Sequence, residues 1–243
     1  MFNDLVIDKE ITGEKDTLGG ARILPTDVYD FTIKLAYVSV ADSGARAINL
    51  SLEGANGNIL RVTEYVTSGT AKGGKNTYTD KNGKQQYLPG FSKMNALCNI
   101  VAGLDLPSMD FEEKVISLYN YEAKKELPTK VTVIMNLVNQ KVKAAVIHKI
   151  QNKSQKNAEG KYTPIAETRE LNEVDRFFTE DGFTSSELLA KEESPTYINT
   201  WIENNQDKVV DETSKDVLPS GVSSGAPKAS STTSAAPSKS LFA

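Results

Sequence analysis

The chain has 243 residues, a formal net charge of −4 and one cysteine, Cys98; 39% of its residues are hydrophobic and 25% are charged. A single cysteine excludes an internal disulfide and any zinc site built from several cysteines. No apolar run approaches the roughly 20 residues that cross a bilayer, and the amino terminus lacks the basic and apolar regions of a signal peptide. We therefore expect a cytoplasmic protein with no membrane span.

Charge and composition divide the chain unevenly. Residues 1–153 contain 19 Lys and Arg against 17 Asp and Glu, whereas residues 154–243 contain 9 against 15. Residues 1–153 should therefore bind anions more readily than the net charge of the whole chain implies. We predict four segments: an amino-terminal arm at 1–24, a β domain at 25–153, an acidic helical appendage at 154–216 and a disordered, Ser/Ala/Pro-rich tail at 217–243.

Three segments near the start of the β domain alternate between apolar and polar residues, at 28–40, 45–53 and 59–66. Short turn sequences rich in Gly, Asn and Asp separate them. This alternation is typical of strands that bury one face and expose the other. The sequence therefore predicts an antiparallel meander whose polar face carries Lys34, Arg61 and Tyr65.

A long basic segment, residues 67–88, follows the third strand. It contains a single acidic residue, Asp80. Its four lysines are Lys72, Lys75, Lys81 and Lys84, and its two tyrosines are Tyr78 and Tyr87. The pair Asn82-Gly83 is typical of a type I′ turn, so we predict a protruding hairpin over 75–88. Lysines with interleaved aromatic rings suit single-stranded nucleic acid. The alternative is a solvated surface hairpin with no ligand.

Apolar residues at helical spacing follow the basic segment. They predict an amphipathic helix over 91–104 with Cys98 on its apolar face, where the thiol would act as a small hydrophobic group. Residues 111–126 fit neither the period of a helix nor that of a strand.

Two further alternating segments, 130–138 and 141–150, predict a hairpin with a turn at Asn139-Gln140. Lys141 and Lys143 lie on its polar face. Lysines at such positions either discourage pairing at a sheet edge or form a second wall of an anion-binding groove.

A predicted polar hinge at 151–163 leads from the β domain into the acidic region. Beyond it, Thr184 and Glu187 have the spacing of a capping box. Ser194 followed by Pro195 predicts the start of a second helix. We therefore expect a small helical region packed on the β domain.

The sequence contains little that indicates catalysis. His148 is the only histidine, and no glycine-rich elbow for a nucleophilic serine accompanies it. The stretch TSGTAKGGKNT departs from a phosphate-binding loop because Asn76 takes the place of the required Ser or Thr. We predict a protein that is not an enzyme and that needs no cofactor or metal.

A three-stranded meander, a helix and a closing hairpin follow one another in an OB-type barrel, which binds strands across an exposed face and its loops. We therefore predict a mainly β fold with appended helices, in the form of an OB-fold-like antiparallel barrel with a long basic hairpin. In this layout of residues 25–153, and in a tail that ends in Leu241-Phe242-Ala243, the chain resembles the single-stranded DNA-binding proteins of bacteriophages.

The resemblance implies sequence-nonspecific binding that protects single strands in DNA replication, recombination or repair. It also implies that the tail recruits replication or recombination proteins, with Leu241 and Phe242 as the docking residues. The tails of that family are often acidic, whereas residues 220–243 contain no acid.

The residues predicted to bind nucleic acid provide cations for phosphates and rings for bases: Lys34, Arg61, Tyr65, Lys72, Lys75, Tyr78, Lys81, Lys84, Tyr87, Lys141 and Lys143. Two other classes of protein remain as alternatives. One is a structural virion or assembly β domain with surface lysines. The other is an adaptor that binds a protein partner through its acidic carboxy-terminal region.

Overall fold

The computed structural model describes residues 23–120, 123–157 and 160–214. Nearly all of the predicted arm, and the predicted tail with Leu241 and Phe242, lie outside these residues. The described residues form three helices, α1 (Pro89–Ala102), α2 (Ser185–Ala190) and α3 (Tyr197–Asn205). Their ten strands are β1 (Asp27–Val40), β2 (Arg46–Gly54), β3 (Ile59–Tyr65), β4 (Thr77–Thr79), β5 (Gln85–Tyr87), β6 (Phe111–Asn120), β7 (Lys125–Ile134), β8 (Lys141–Lys156), β9 (Tyr162–Phe178) and β10 (Val209–Asp211).

The long strand β1 is the centre of the main sheet. One of its edges pairs with β2, which pairs with β3, so the predicted meander is confirmed. The other edge pairs with β8 over residues 27–32 and with β7 at Tyr37 and Val38. β9 adds to β8, and these pairings are antiparallel; the short β10 is parallel to β8. The fold is thus mainly β, and the pairings among the described residues do not close the sheet into a barrel.

The hydrophobic core lies between the inner face of this sheet and α1. Met94, Leu97 and Cys98 of α1 are fully buried, and the helix ends at Ala102, followed by Gly103 in the left-handed conformation. Burial, together with the negative charge of Asp105, raises the pKa of Cys98 to about 12. The thiol is therefore a small hydrophobic group of the core, in agreement with the prediction.

Helix α1 also lies between the edges of β3 and β9. Lys93 of α1 donates to Glu64 Oε1 of β3 at 2.5 Å and to the carbonyl oxygen of Val174 in β9. Both members of the ion pair are mostly buried. One side chain therefore joins the two sheet edges that do not pair with each other.

The predicted hairpin at Asn139 is wrong, because β7 and β8 do not pair. Both strands lie along the same edge of β1, one after the other. A short 3-10 turn at Met135–Leu137 carries the chain past a bulge in β1. There the backbone N–H of Asn139, which has φ of +63°, donates to the carbonyl oxygen of Ile33. The backbone N–H of Ile33 donates in turn to the carbonyl oxygen of Gln140. β7 pairs with β6 instead, so the undecided segment at 111–126 contains strand β6.

The structure also differs from the prediction in the acidic region. The residues expected to be a hinge, 151–163, contain the end of β8 and the start of β9. β9 pairs with β8 along almost its whole length, from Tyr162 to Phe178, so much of the expected appendage belongs to the main sheet. Beyond Ile150 this hairpin extends away from the core, and neither face has to be apolar. The sequence there consequently lacks the alternation that marks a half-buried strand.

Glu187 connects α2 to α3. The predicted capping box is confirmed, with Thr184 Oγ1 accepting from Glu187 N at 3.1 Å and Glu187 Oε2 accepting from Thr184 N at 2.8 Å. Glu187 Oε1 accepts from the backbone N–H groups of Thr196 and Tyr197, each at 2.8 Å. This carboxylate replaces the predicted cap Ser194, so α3 begins at Tyr197 rather than at Pro195.

These contacts make stability depend on pH. Burial by itself would raise the pKa of Glu187, but the hydrogen bonds lower it from 4.5 to about 2. The stability that this shift represents is therefore present above pH 4.5 and is lost as the pH falls towards 2.

Replacing Glu187 with glutamine should lower the free energy of unfolding at pH 7. The difference from the wild type should shrink between pH 4.5 and 2, because protonation then makes the wild-type carboxyl group neutral, as the glutamine amide already is. Urea unfolding at several pH values measures both effects. Glu193→Gln, at an exposed position just beyond α2, is the control. A difference that stays constant with pH would show that the charge of Glu187 is not responsible.

Candidate nucleic-acid interface

The outer face of β3 carries the exposed residues Arg61, Thr63 and Tyr65. Thr63 Oγ1 donates to Asn49 Oδ1 of β2 at 2.9 Å, and Asn49 Nδ2 donates to Ser39 Oγ of β1 at 2.8 Å. These hydrogen bonds connect three strands between Arg61 and Tyr65. The two side chains share one face, as predicted, and their positions are about 13 Å apart along the strand.

The basic segment, residues 67–88, contains the predicted hairpin as β4 and β5, but its turn is not of type I′. Asp80 N donates to Lys84 O and Gly83 N donates to Asp80 O, and Gly83 has φ of +78°. Asp80 Oδ1 also accepts from the backbone N–H groups of Lys84 and Asn82, each at 2.9 Å. The bond from Lys84 is the main cause of the lowered pKa of Asp80. The only acidic residue of the basic segment therefore stabilises the turn of the hairpin.

This turn decides which tyrosines share a face. A two-residue loop at Asn82-Gly83 would place Tyr78 opposite Tyr87. The observed loop is one residue longer, so Tyr78 pairs with Gln86, and Tyr87 pairs with Thr77. A shift of one residue turns a side chain to the other face of a hairpin. Tyr87 therefore lies on the face opposite to Tyr78, where its ring contacts that of Phe91 with centroids 5.0 Å apart.

Close backbone contacts anchor the base of the basic segment. Thr70 N donates to the carbonyl oxygen of Ser43 in the β1–β2 turn at 2.8 Å. A Cβ on Gly69 would lie 2.9 Å from that same oxygen, and one on Gly90 would lie 2.4 Å from the carbonyl oxygen of Tyr65. The absence of side chains at these glycines lets the basic segment approach the β1–β2 turn and lets α1 approach the end of β3. Gly69 thus permits close packing against Ser43.

A cavity of about 870 Å³, which we call the basic groove, opens between the end of β3 and the basic segment. Four predicted residues line it, namely Tyr65, Lys72, Lys75 and Tyr78. The two rings are 53% and 44% exposed. In the part of the chain that the structure describes, neither lysine forms an ion pair. Two ammonium groups and two phenol rings are therefore available at one opening.

The predicted cations of the sheet lie elsewhere. Lys34 is paired with Glu53 at 3.2 Å and Lys143 with Asp30 at 2.6 Å, so carboxylates already neutralise both. Lys141 is on β8, three strands away from β3, which corresponds to about 14 Å. Three further predicted residues are exposed but do not line the basic groove: Arg61, Lys81 and Lys84.

A second cavity, of about 600 Å³, adjoins the basic groove and shares Thr67, Lys75 and Thr77 with it. We call it the apolar cavity, because most of its wall is apolar: Val38, Ile48, Val66, Phe91, Leu106, Pro107 and Phe111. Arg46 also lines it and was not predicted. Arg46 lies two residues before the buried Ile48 in β2, so the alternation of the strand places both on the side that faces the core. A charged residue at an inward position at the end of a strand is the signal that identifies it.

No metal site is evident among residues 23–120, 123–157 and 160–214, where no three His, Cys, Asp or Glu side chains are placed to hold an ion. His148 Nε2 lies 2.9 Å from Glu170 Oε2 of the neighbouring strand β9. No helix of these residues is both long and apolar enough to cross a membrane. In comparisons with known proteins, no family model and no curated protein sequence matches the chain.

Proposed function

We propose that the chain binds single-stranded DNA without sequence preference and protects it during replication, recombination or repair, as do the bacteriophage proteins that it resembles. The basic groove carries this proposal, because it combines Tyr65 and Tyr78 with Lys72 and Lys75, neither of which forms an ion pair with any described residue. Aromatic rings stack on any base, and lysines follow the phosphates.

The order of the strands supports an OB-type fold for this function. Along the sheet the order is β3, β2, β1, β8 and β9, with α1 between the two outer strands. In an OB-type reading, β8 and β9 are the fourth and fifth strands and the β6–β7 hairpin is an insertion. Ligands of OB folds cross the second and third strands and the adjoining loops. The basic groove lies at this place, beside β3 and the β1–β2 turn.

The groove also favours single strands over duplexes. Bases in a duplex are stacked on each other, so their faces are closed to a protein ring. Tyr65 and Tyr78 can stack only on bases that have left a helix. The lysines alone would bind either form, since phosphates are present in both.

Fluorescence anisotropy with labelled oligo-dT, and with a duplex of equal length, tests the proposal. We expect the single strand to bind more tightly, with an affinity that falls with salt at a log-log slope of about −0.7 per phosphate contacted. Equal affinity for the duplex would contradict the role of the tyrosines. No binding at moderate salt would contradict the whole proposal and favour a structural β domain.

A further inference from the structure

We propose that the apolar cavity is a base-binding subsite, which receives one nucleobase of the strand held in the basic groove. This inference rests on the proposed function and names a second contact for the same strand. The base would lie between the phenyl rings of Phe91 and Phe111, with one of its flanking phosphates on Lys75 and the other on Arg46.

The two cavities adjoin each other. Lys75 lines both of them, and Thr67 and Thr77 form the rest of the shared wall. An ammonium group at this boundary can hold a phosphate while the bases on its two sides enter different cavities. None of the residues that line either cavity is Asp or Glu. A polyanion therefore meets no acidic side chain that would repel it in these walls.

The apolar cavity has the size and the chemistry of a nucleotide site. Its volume of about 600 Å³ falls within the range of roughly 300–1,000 Å³ of small-molecule sites. Phe111 is 44% exposed there, which leaves an apolar ring in contact with water. Arg46 and Lys75 are cations without an ion pair among the described residues. A ligand with a flat apolar face and a negative charge satisfies both features, whereas a purely apolar ligand would leave the cations unpaired.

The backbone around Arg46 is fixed by hydrogen bonds. The carbonyl oxygen of Arg46 accepts from Val66 N at 2.9 Å and Thr67 N at 3.3 Å. Thr67 is 6% exposed, and its Oγ1 accepts from Arg46 N at 2.9 Å. These bonds tie the start of β2 to the end of β3. The backbone from which the Arg46 side chain extends is therefore held at the cavity before DNA binds.

Photo-crosslinking locates the base directly in the wild-type protein. The probe is oligo-dT in which 5-iododeoxyuridine replaces some of the thymidines, and irradiation joins the iodinated base to a nearby aromatic ring. We expect adducts on Phe91 or Phe111 as well as on Tyr65 or Tyr78, mapped by mass spectrometry of peptides.

Affinity measurements supply a second readout. Phe111→Ala should weaken binding of oligo-dT about fivefold or more, since one stacked base is lost. Arg46→Ala should lower the salt slope by about 0.7, since one phosphate contact is lost. The matched control is Val115→Ala, which shortens a 68% exposed side chain on the same face of β6 outside the cavity and should bind as the wild type does.

The outcomes separate the two proposals. If the wild type does not bind oligo-dT, the proposed function is wrong and the subsite with it. If the wild type binds, adducts confined to the tyrosines together with an Arg46→Ala slope equal to that of the wild type overturn the subsite alone. Because the crosslinking uses the wild-type protein, this decision holds even if Phe111→Ala fails to fold.

Discussion

Replacing Tyr65 and Tyr78 together with alanine should weaken the binding of oligo-dT by at least about 30-fold. Each base that stacks on an aromatic ring contributes about 1–3 kcal/mol, so two lost contacts amount to about 2 kcal/mol or more if they are additive. The salt dependence should not change, because no charge is removed. Anisotropy titrations at several salt concentrations measure both quantities.

The matched control is the double substitution of Tyr65 and Tyr78 with phenylalanine. Phenylalanine keeps the ring and loses only the hydroxyl group, so this variant should bind nearly as the wild type does. Both tyrosines are largely exposed, and neither variant should unfold at a lower urea concentration. An alanine variant that binds as tightly as the phenylalanine variant would show that the rings do not stack on bases.

The double substitution of Lys72 and Lys75 with alanine should act on the salt dependence. Each phosphate contact contributes about 0.7 to the log-log slope on a single strand, so the slope should fall by about 1.4. If the variant and the wild type bind equally at about 1 M salt, the same relation predicts about 25-fold weaker binding by the variant at about 0.1 M salt. The effect follows from counterion release and should decrease as salt is added.

Lys34 and Lys143 provide a control with the same change in net charge. Their ammonium groups already pair with Glu53 and Asp30, and they lie outside the basic groove. Replacing both with alanine should leave the salt slope near that of the wild type. If both double variants lose the same slope, binding depends on the total charge of the protein and not on the basic groove.

The elements that the sequence predicted correctly are those whose periodicity one buried face imposes. In β1 to β3 and in α1, residues such as Leu50 and Leu97 must be apolar because they enter the core. Their polar neighbours then follow by alternation or by helical spacing, and Gly103 marks the end of the helix. Strong local patterns of this kind predict an element without knowledge of its partners.

The elements that the sequence missed depend on partners distant in the chain. Nothing near Asn139 indicates that β7 and β8 share one edge of β1, since this depends on the bulge around Lys34. The extended parts of β6–β7 and β8–β9 project from the core and do not need an apolar face. Pairing of this kind is set by tertiary contacts that a local pattern does not contain.

The candidate site shows the same division. Tyr65 could be placed on the polar face from alternation alone, and the lysines of the basic segment from composition. The separation of Tyr78 from Tyr87 depends on a single turn, because Asn82-Gly83 is compatible with loops of two lengths and the Asp80 carboxylate stabilises the longer one. The carboxylates that pair with Lys34 and Lys143 could be identified only once the register of the sheet was known.

A fourfold variant in which Tyr65, Tyr78, Lys72 and Lys75 are all alanine tests directly whether the basic groove binds the single strand. It removes both rings and both ammonium groups from the basic groove, and these exposed positions leave the core unchanged. At a protein concentration that saturates oligo-dT with the wild type, we expect an anisotropy close to that of free DNA and an unaltered urea unfolding curve. A fourfold variant that still saturates the oligonucleotide would show that the binding site lies elsewhere on the protein.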